Sequence, residues 1–368
     1  MDVRVWRTMD PLIVAAMAGL IVLGLVLIYS ASATGEWARG PLVDHPMVRQ
    51  LFYAAIGFGA LLLAMMLDYR LLGRAAPVLY ALAVLALIAV LVVGQESYGA
   101  KRWINLPVVQ FQPSEFSKLV LIITLAKFFA DREGSVRSLR TLTLSLLLAV
   151  IPMGLIFLEP DVGTTLVVGA IWLGMALMSG IPLRYFGILT LAGLIVLPLI
   201  YEFALQDYQR ARIETFLDPE RDPLGRSYNL IQAEISIGSG GFFGKGLMAG
   251  TQTQLNYLRV QTTDFIFSVL GEELGFLGGV LLLGLFTVIL LRAIGAAERA
   301  RDPFARLLVS GICIMLLVQT TINIAVNTRL IPATGVPLPF ISAGGTSLIT
   351  CMIAIGLIES VAARRSRG

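Results

Sequence analysis

Residues 262–291 read TTDFIFSVLGEELGFLGGVLLLGLFTVILL, a polar start followed by a mostly apolar stretch. From Phe265 onward this stretch is about as long as a helix that crosses a membrane. A water-facing loop therefore enters a hydrophobic helix at Asp264. The first turn of a helix favours a carboxylate, whereas partial burial raises the pKa of a carboxyl group and increases its basicity. Asp264 is accordingly either a helix cap or a general base at a membrane surface.

The composition is typical of polytopic helical membrane proteins. Of the 368 residues, 57% are hydrophobic and 14% are charged, whereas about 25% of the residues of a soluble chain are charged. Several runs of about 20 apolar residues are long enough to cross a bilayer as helices. The chain has one histidine, two cysteines in apolar runs, no P-loop and no dinucleotide fingerprint. We therefore expect no zinc or haem site, no ATP-driven transport and no nucleic-acid partner.

We predict an all-α fold of ten membrane-spanning helices in a single domain, residues 1–368. Basic residues concentrate in the segments on the N-terminal side of the membrane, so the positive-inside rule puts both termini in the cytoplasm. The long loop 204–263, between the seventh and eighth spans, then faces outward. The predicted spans are 11–31, 48–67, 75–94, 113–130, 141–158, 163–179, 183–203, 264–291, 304–327 and 344–363.

The outer loop 204–263 combines apolar and charged residues. Its segment 226–237 predicts a short amphipathic helix lying on the membrane. The glycines between Gly238 and Gly250 predict tight backbone turns. In a loop of this length, packed turns often indicate function.

A second group of polar residues lies where the fourth span begins. Pro113 suits the first helical turn, and Glu115 and Lys118 lie three residues apart on one helix face. They form either a structural ion pair inside the bundle or a functional pair. In the functional interpretation Lys118 holds a phosphate, and Glu115 tunes it or binds a metal ion.

Three further features have both a structural and a functional interpretation. Asp161 either caps the sixth span or approaches Glu115 and binds a divalent cation. The cations of the outer loop, Arg210, Arg212 and Lys245 among them, suit either phosphates or lipid head groups. Segment 337–346 either exposes backbone N–H groups as an anion nest or forms a packed re-entrant turn. A lipid-linked diphosphate would suit such an outer face, as one option among several.

These motifs together resemble the SEDS family of peptidoglycan glycosyltransferases, over nearly the whole chain. Asn229, Gly244-Lys245-Gly246 and 250–254 favour its RodA-like branch over the paralogous FtsW branch. One departure is 258–263, LRVQTT, where the family usually has a proline, a glutamate and a histidine before Thr-Asp. The motifs are KRW 101–103, FQPSEFSK 111–118, EPDVGT 159–164, YQR 208–210, FLDP 216–219, YNLIQ 228–232, GSGG 238–241, GTQ 250–252, TDFIF 263–267 and PFISAGG 339–345.

The resemblance implies ten spans and the polymerisation of lipid II into glycan strands on the outer face of the cytoplasmic membrane, for elongation and cell shape. It implies release of undecaprenyl diphosphate, a divalent cation (Mg²⁺ or Mn²⁺), a class B penicillin-binding protein as partner, other elongation-complex proteins and contact with membrane lipids. Asp264 takes the position of the essential aspartate, the general base for the 4-hydroxyl of the acceptor sugar. Glu115 and Asp161 are the candidate metal ligands. The substrate and diphosphate candidates are Lys118, Lys101, Arg102, Trp103, Gln112, Ser114, Arg210, Gln232, Lys245, Ser342 and Gly344.

Two other functions compete with this one. A lipid II flippase would also need several spans and a polar groove, but a transporter keeps ionisable groups near mid-membrane. A scaffold for a penicillin-binding protein would need an apolar contact surface but no buried carboxylates. The polar residues of this chain concentrate at the predicted outer surface, which favours chemistry.

Overall fold

The computed structural model describes residues 9–34, 41–97, 100–105, 110–203, 205, 207–218, 227–258 and 260–364, which are mostly helical. The long helices lie where the hydrophobic runs predict them. The helices are α1 Pro11–Ser32, α2 Pro46–Met66, α3 Tyr69–Val93, α4 Pro113–Ala130, α5 Leu139–Leu158, α6 Val162–Met178, α7 Leu183–Phe203, α8 Asp207–Leu217, α9 Tyr228–Gly240, α10 Thr251–Gln254, α11 Ile266–Glu298, α12 Pro303–Asn327 and α13 Gly345–Arg364.

A helix occupies each of the ten predicted span positions. Within the described residues, seven are long and apolar enough to cross a membrane: α1, α2, α3, α5, α11, α12 and α13. Helix α6 and the segment Leu183–Val196 of α7 are shorter apolar helices. Helix α4 contains Glu115, Lys118 and Lys127. Much of the segment 204–263 is helical as well, because α8, α9 and α10 lie within it.

A small antiparallel sheet corrects the all-α prediction. Within the described residues, its strands are β1 Gln95–Ser97, β2 Ala100–Asn105 and β3 Gln110–Phe111, in the order β1-β2-β3. Gln95 pairs with Trp103, and Ile104 pairs with Phe111. The strands are too short to leave a helical or membrane-length pattern of hydrophobic residues, so the sequence did not reveal them. The sheet carries Arg102 and Trp103 and leads through β3 into α4 at Pro113.

The segment between α12 and α13 is enclosed by helices that approach it closely at glycines. A Cβ atom added to Gly24 of α1 would lie 2.8 Å from the Cα atom of Ile341. A Cβ atom added to Gly163 of α6 would lie 2.4 Å from the carbonyl oxygen of Thr334. Small residues permit such close packing in membrane bundles. The segment is therefore held between α1 and α6, and it contacts the residues before α11.

Helix α11 is not continuous. Gly275 has φ 63° and ψ −157°, which no helix tolerates, so α11 consists of a short half before Gly275 and a long half after it. The predicted span 264–291 began two residues too early, because Phe265 is the N-cap and Ile266 the first helical residue.

Candidate active site at the start of α11

Asp264 does not cap α11. The side chain of the N-cap residue, Phe265, makes no capping hydrogen bond. Instead, Asn327 of α12 accepts hydrogen bonds at its Oδ1 atom from the backbone N–H (3.0 Å) and the hydroxyl (2.7 Å) of Ser268. The helix-cap interpretation of Asp264 is therefore wrong, and its carboxylate is available for another role.

Two asparagines of α12 hold the backbone of Asp264. Its carbonyl oxygen accepts hydrogen bonds from Nδ2 of Asn327 at 2.9 Å and from Nδ2 of Asn323 at 3.2 Å. Neither asparagine is among the site residues predicted from the sequence. The available signal was a pair of amides four residues apart on one face of an apolar helix, which is costly unless the amides are bonded.

The loop before α13 holds the residues that precede Asp264. The hydroxyl of Ser342 donates to the carbonyl oxygen of Thr263 at 2.6 Å, and the N–H of Ala343 donates to that of Thr262 at 2.9 Å. These contacts agree with the interpretation of segment 337–346 as a packed re-entrant turn. Ser342, a predicted substrate contact, is buried and already positions Thr263.

Gly344, another predicted substrate contact, lies beside Gln50 of α2. Its N–H donates to Oε1 of Gln50 at 3.2 Å, and Nε2 of the same amide donates to the carbonyl oxygen of Ser342 at 3.1 Å. The N–H groups of Ala343 and Gly344 are thus bonded within the protein, so an anion nest would have to use other donors of this loop.

The carboxyl group of Asp264 is half-buried among charges from three other segments. Burial raises its pKa; Arg212, the Thr263 side chain and Arg102 lower the pKa, and Asp161 raises it. Arg102 comes from β2, Asp161 from the turn before α6 and Arg212 from α8. Two of the charges that act on the Asp264 carboxyl group therefore belong to residues predicted from the sequence, Arg102 and Asp161.

Arg212, rather than Arg210, is the arginine of α8 that acts on Asp264. Nη1 of Arg212 donates to the carbonyl oxygen of Ala333 at 3.2 Å, in the segment before α13. Arg210 donates instead to the carbonyl oxygen of Glu202. The sequence places both arginines on one short helix but does not show which of them faces Asp264, because that depends on how α8 packs.

Arg102 is fastened to the turn between α5 and α6. Its Nε atom donates to the carbonyl oxygen of Glu159 at 3.1 Å, and Nη2 donates to that of Pro160. The carboxylate of Glu159 is fully buried, and neither oxygen has a hydrogen-bond partner among the described residues. Burial, followed by the charge of Asp161, raises the pKa of Glu159 to about 8, while Arg102 lowers it. Glu159 is therefore mostly neutral at pH ~7.

Asp161 does cap α6, as one of its two interpretations predicted. Its Oδ1 atom accepts from the N–H of Thr164 at 3.0 Å, and Oδ2 accepts from the Thr164 hydroxyl at 2.9 Å. Nε2 of Gln112 donates to Oδ2 at 3.4 Å, which joins the start of α4 to the start of α6.

Glu115 and Lys118 form the ion pair that their spacing predicts. Nζ of Lys118 lies 2.7 Å from Oε1 of Glu115, with side-chain exposures of 1% and 3%. Oε2 of Glu115 and the hydroxyl of the neighbouring Ser114 are buried and have no hydrogen-bond partner among the described residues. Such groups are costly in a bundle core unless a ligand satisfies them.

The remaining candidates lie at the edge of this arrangement or outside it. Trp103 is half-buried on β2, and Gln232 is half-buried on α9. Lys101 belongs to β2, and its side chain is outside the described part of the chain. Nζ of Lys245 lies 2.9 Å from Oε1 of Glu272 of α11, an ion pair that the sequence analysis did not predict.

The described residues contain no group of three or more His, Cys, Asp or Glu side chains that could hold a metal ion. In the predicted pair, Glu115 has one unpaired oxygen, and both oxygens of Asp161 accept hydrogen bonds. Glu115 thus offers one free oxygen, which fits the binding of Mg²⁺ by a single carboxylate together with substrate phosphates and not a cage made by the protein alone.

The family model described as "Cell cycle protein", FtsW/RodA/SpoVE, matches residues 10–367. The chain belongs to the FtsW/RodA/SpoVE family. It is 36% identical over 346 residues to the peptidoglycan glycosyltransferase MrdB of Escherichia coli K12, covering 94% of this chain and 93% of that protein. It is 39% identical over 359 residues to the probable peptidoglycan glycosyltransferase FtsW of Thiomicrospira cyclica, covering 96% and 91%.

Solved structures of family members share this fold. A chain of a peptidoglycan synthase complex, described as coordinating polymerization and crosslinking, has a TM-score of 0.81 at 35% identity and covers 98% of this chain and 99% of its own. The crystal structure of the rod shape determining protein RodA of Thermus thermophilus has a TM-score of 0.71 at 32% identity and covers 98% of each chain.

The neutral state of Glu159 predicts a pH-dependent effect on stability. Between its ordinary value of 4.5 and about 8, Glu159 ionises in the unfolded chain but not in the folded one. Folding stability therefore falls as pH rises through this window, by at most about 1.4 kcal/mol per pH unit. Glu159→Gln cannot ionise, so its melting temperature should exceed that of the wild type by a margin that grows with pH.

Thermal unfolding in detergent with a chelator, followed across this pH window, checks the margin. Glu133→Gln, which changes a carboxylate with 64% side-chain exposure, is the matched control. A margin for Glu159→Gln that stays constant with pH would contradict a neutral Glu159.

Proposed function

We propose that this chain is a peptidoglycan glycosyltransferase that polymerises lipid II into glycan strands on the outer face of the bacterial cytoplasmic membrane, for elongation and cell shape. The observation that carries the proposal is Asp264, whose backbone is held by Asn323 and Asn327 while the charges of Arg102 and Arg212 act on its carboxyl group. Relatives named peptidoglycan glycosyltransferase cover more than nine-tenths of the chain and support the same conclusion.

In the proposed reaction, the Asp264 carboxylate removes the proton from the 4-hydroxyl of the acceptor sugar. The resulting oxygen attacks C1 of the donor sugar from the side opposite the diphosphate, a C1–O bond forms, and the bond to the diphosphate breaks with inversion. Burial raises the pKa of Asp264, which makes the carboxylate a stronger base than one exposed to water. The proton stays on Asp264 until solvent removes it.

Fixed positive charges would stabilise the undecaprenyl diphosphate that leaves. Backbone carbonyl groups of Glu159 and Ala333 orient the guanidinium groups of Arg102 and Arg212, so little reorganisation is needed as charge develops. Lys118 is a third candidate, deeper in the bundle and beside Glu115. Trp103 of β2 and Gln112, the residue between β3 and α4, are proposed to contact the head group.

A divalent cation, Mg²⁺ or Mn²⁺, is proposed as cofactor; Glu115 and Asp161 are the residues that would hold it, and it would neutralise charge on the leaving group. Chelation should abolish strand synthesis, and either ion should restore it in a polymerisation assay. Full activity in excess chelator would remove the cation from this proposal.

The proposed topology has all ten span positions crossing the membrane, the segment 204–263 outside and both termini in the cytoplasm. The proposed partner is a class B penicillin-binding protein, which would cross-link the strands, together with other elongation-complex proteins. The similarity to a chain of a peptidoglycan synthase complex supports such a partner. A lipid II flippase or a non-catalytic scaffold would not need a basic carboxylate held by two asparagines.

Replacing the proposed base tests its role directly. Asp264→Asn keeps the size of the side chain but removes its basicity, so glycan-strand synthesis from purified lipid II should fall on the order of 10²-fold or more, with lipid II binding retained. Wild type and variant are each assayed with a class B partner whose transpeptidase is inactivated. Asp131→Asn, which alters an exposed carboxylate at the other end of α4, is the control.

Equal strand synthesis by Asp264→Asn and wild type would remove Asp264 from the chemistry. Transport of lipid II by a wild-type chain that forms no strands would favour the flippase instead.

A second prediction concerns Arg212, which lowers the pKa of Asp264. Arg212→Gln removes this charge, so the pKa of Asp264 rises further and the base stays protonated to a higher pH. The acid limb of the pH–rate profile should therefore move to higher pH, with the largest loss of activity at low pH. Arg329→Gln, which breaks an outer ion pair with Glu234, is the control. An unmoved acid limb would place Arg212 away from the reacting carboxylate.

A further inference from the structure

The break in α11 leaves backbone groups without their helical partners. In a continuous helix the N–H groups of Phe276 and Leu277 would bond to the carbonyl oxygens of Glu272 and Glu273. The non-helical conformation of Gly275 separates these pairs. Unpaired backbone groups are costly beside lipid, so a broken membrane helix needs replacement partners.

Residues 241–254, here called the brace, supply both sets of partners. The carbonyl oxygens of Gly241 and Phe242 accept from the two separated N–H groups at 2.9 and 3.2 Å. The N–H groups of Lys245 and Gly246 donate to the two separated carbonyl oxygens at 2.9 and 3.0 Å. The brace therefore bonds to α11 on both sides of the break, in place of the missing turn.

A buried carboxylate binds the other end of the brace. Glu272 is fully buried, and its Oε1 atom accepts from Nζ of Lys245 and from the N–H of Gln252, both at 2.9 Å. Its Oε2 atom accepts from the N–H of Thr253 at 3.0 Å and from the Thr253 hydroxyl at 2.8 Å. Charge-assisted bonds to a buried carboxylate are strong, so Glu272 holds Lys245 and the far end of the brace, at Gln252 and Thr253, on the short half of α11.

Glycines permit the brace to lie this close. A Cβ atom on Gly275 would stand 2.3 Å from the nitrogen of Gly244, and one on Gly244 would stand 2.2 Å from the carbonyl oxygen of Glu273. Both glycines have positive φ angles, 63° for Gly275 and 79° for Gly244, at which a residue with a side chain is strained. An alanine at either position would separate the brace from the helix.

The short half of α11 begins directly after Phe265, so its direction sets where the Asp264 carboxyl group lies. We propose that the brace is a positioning element that fixes the short half of α11 and thereby holds Asp264 opposite Arg102 and Arg212. Lys245 and Glu272 are then positioning residues, and Lys245 is not a diphosphate ligand. This inference rests on the proposed glycosyltransferase function.

The test uses the full chain in complex with the class B partner whose transpeptidase is inactivated, and lipid II as substrate. Gly275→Ala and Glu272→Gln should each lower kcat on the order of 10²-fold, because a small misplacement of a reacting group has that effect. The KM for lipid II should stay at the wild-type value. Gly284→Ala, in the same helix with nothing within 4 Å of the added Cβ atom, is the matched control and should keep wild-type kcat.

Hydrogen exchange measured by mass spectrometry reports the brace without activity. Both test variants should speed exchange across residues 241–254 and at Phe276 and Leu277, whereas Gly284→Ala should not. Faster exchange with wild-type kcat would overturn the positioning role. Unchanged exchange in Glu272→Gln would overturn the role of Glu272. If the wild type makes no strands, the proposed function fails, and the exchange data still decide whether the brace holds α11.

Lys245→Met separates positioning from substrate binding. If Lys245 acts through Glu272, kcat falls, KM stays constant, and the double variant with Glu272→Gln loses no more than Glu272→Gln alone. A raised KM with unchanged kcat would make Lys245 a substrate ligand and overturn this part of the inference.

Discussion

The arrangement of the site depends on the two amides that α12 presents to the start of α11. A helix that begins at a membrane surface has N–H groups without helical acceptors, and a nearby carboxylate ordinarily serves them. Here Oδ1 of Asn327 accepts from one of them, the N–H of Ser268, while its Nδ2 atom, with that of Asn323, holds the carbonyl oxygen of Asp264. The backbone of Asp264 is thereby fixed, and its carboxyl group is spared for the proposed chemistry.

Backbone groups without helical partners occur a second time in α11, at Gly275. There the chain leaves helical geometry, and residues 241–254 replace the missing helical bonds with their own backbone groups. Irregular backbone at membrane depth is tolerated only where protein or a water-filled cavity satisfies it. Both irregular points of α11 are thus satisfied by distant parts of the chain, which links the geometry of the proposed base to residues 241–254 and to α12.

Charged residues from segments that lie far apart in the sequence act on the Asp264 carboxyl group. Arg102 binds the backbone of the turn before α6, and that turn carries the buried Glu159 and the capping residue Asp161. Each of these motifs was recognisable in the sequence as a polar group near a predicted outer surface. Their convergence on Asp264 was implied only by resemblance, because Coulomb effects act over distances that sequence spacing does not encode.

The sequence by itself determined the features that depend on neighbouring residues. Hydrophobic length located the helices, spacing of three predicted the ion pair of Glu115 and Lys118, and the glycine-rich segment predicted tight turns. The tertiary structure alone decided the strands of residues 95–111, the capping of α11 by Asn327, and the choice of Arg212 over Arg210 beside Asp264. It also placed Lys245 on Glu272. These outcomes depend on which distant segments pack against each other, and local patterns of hydrophobicity and charge do not encode that packing.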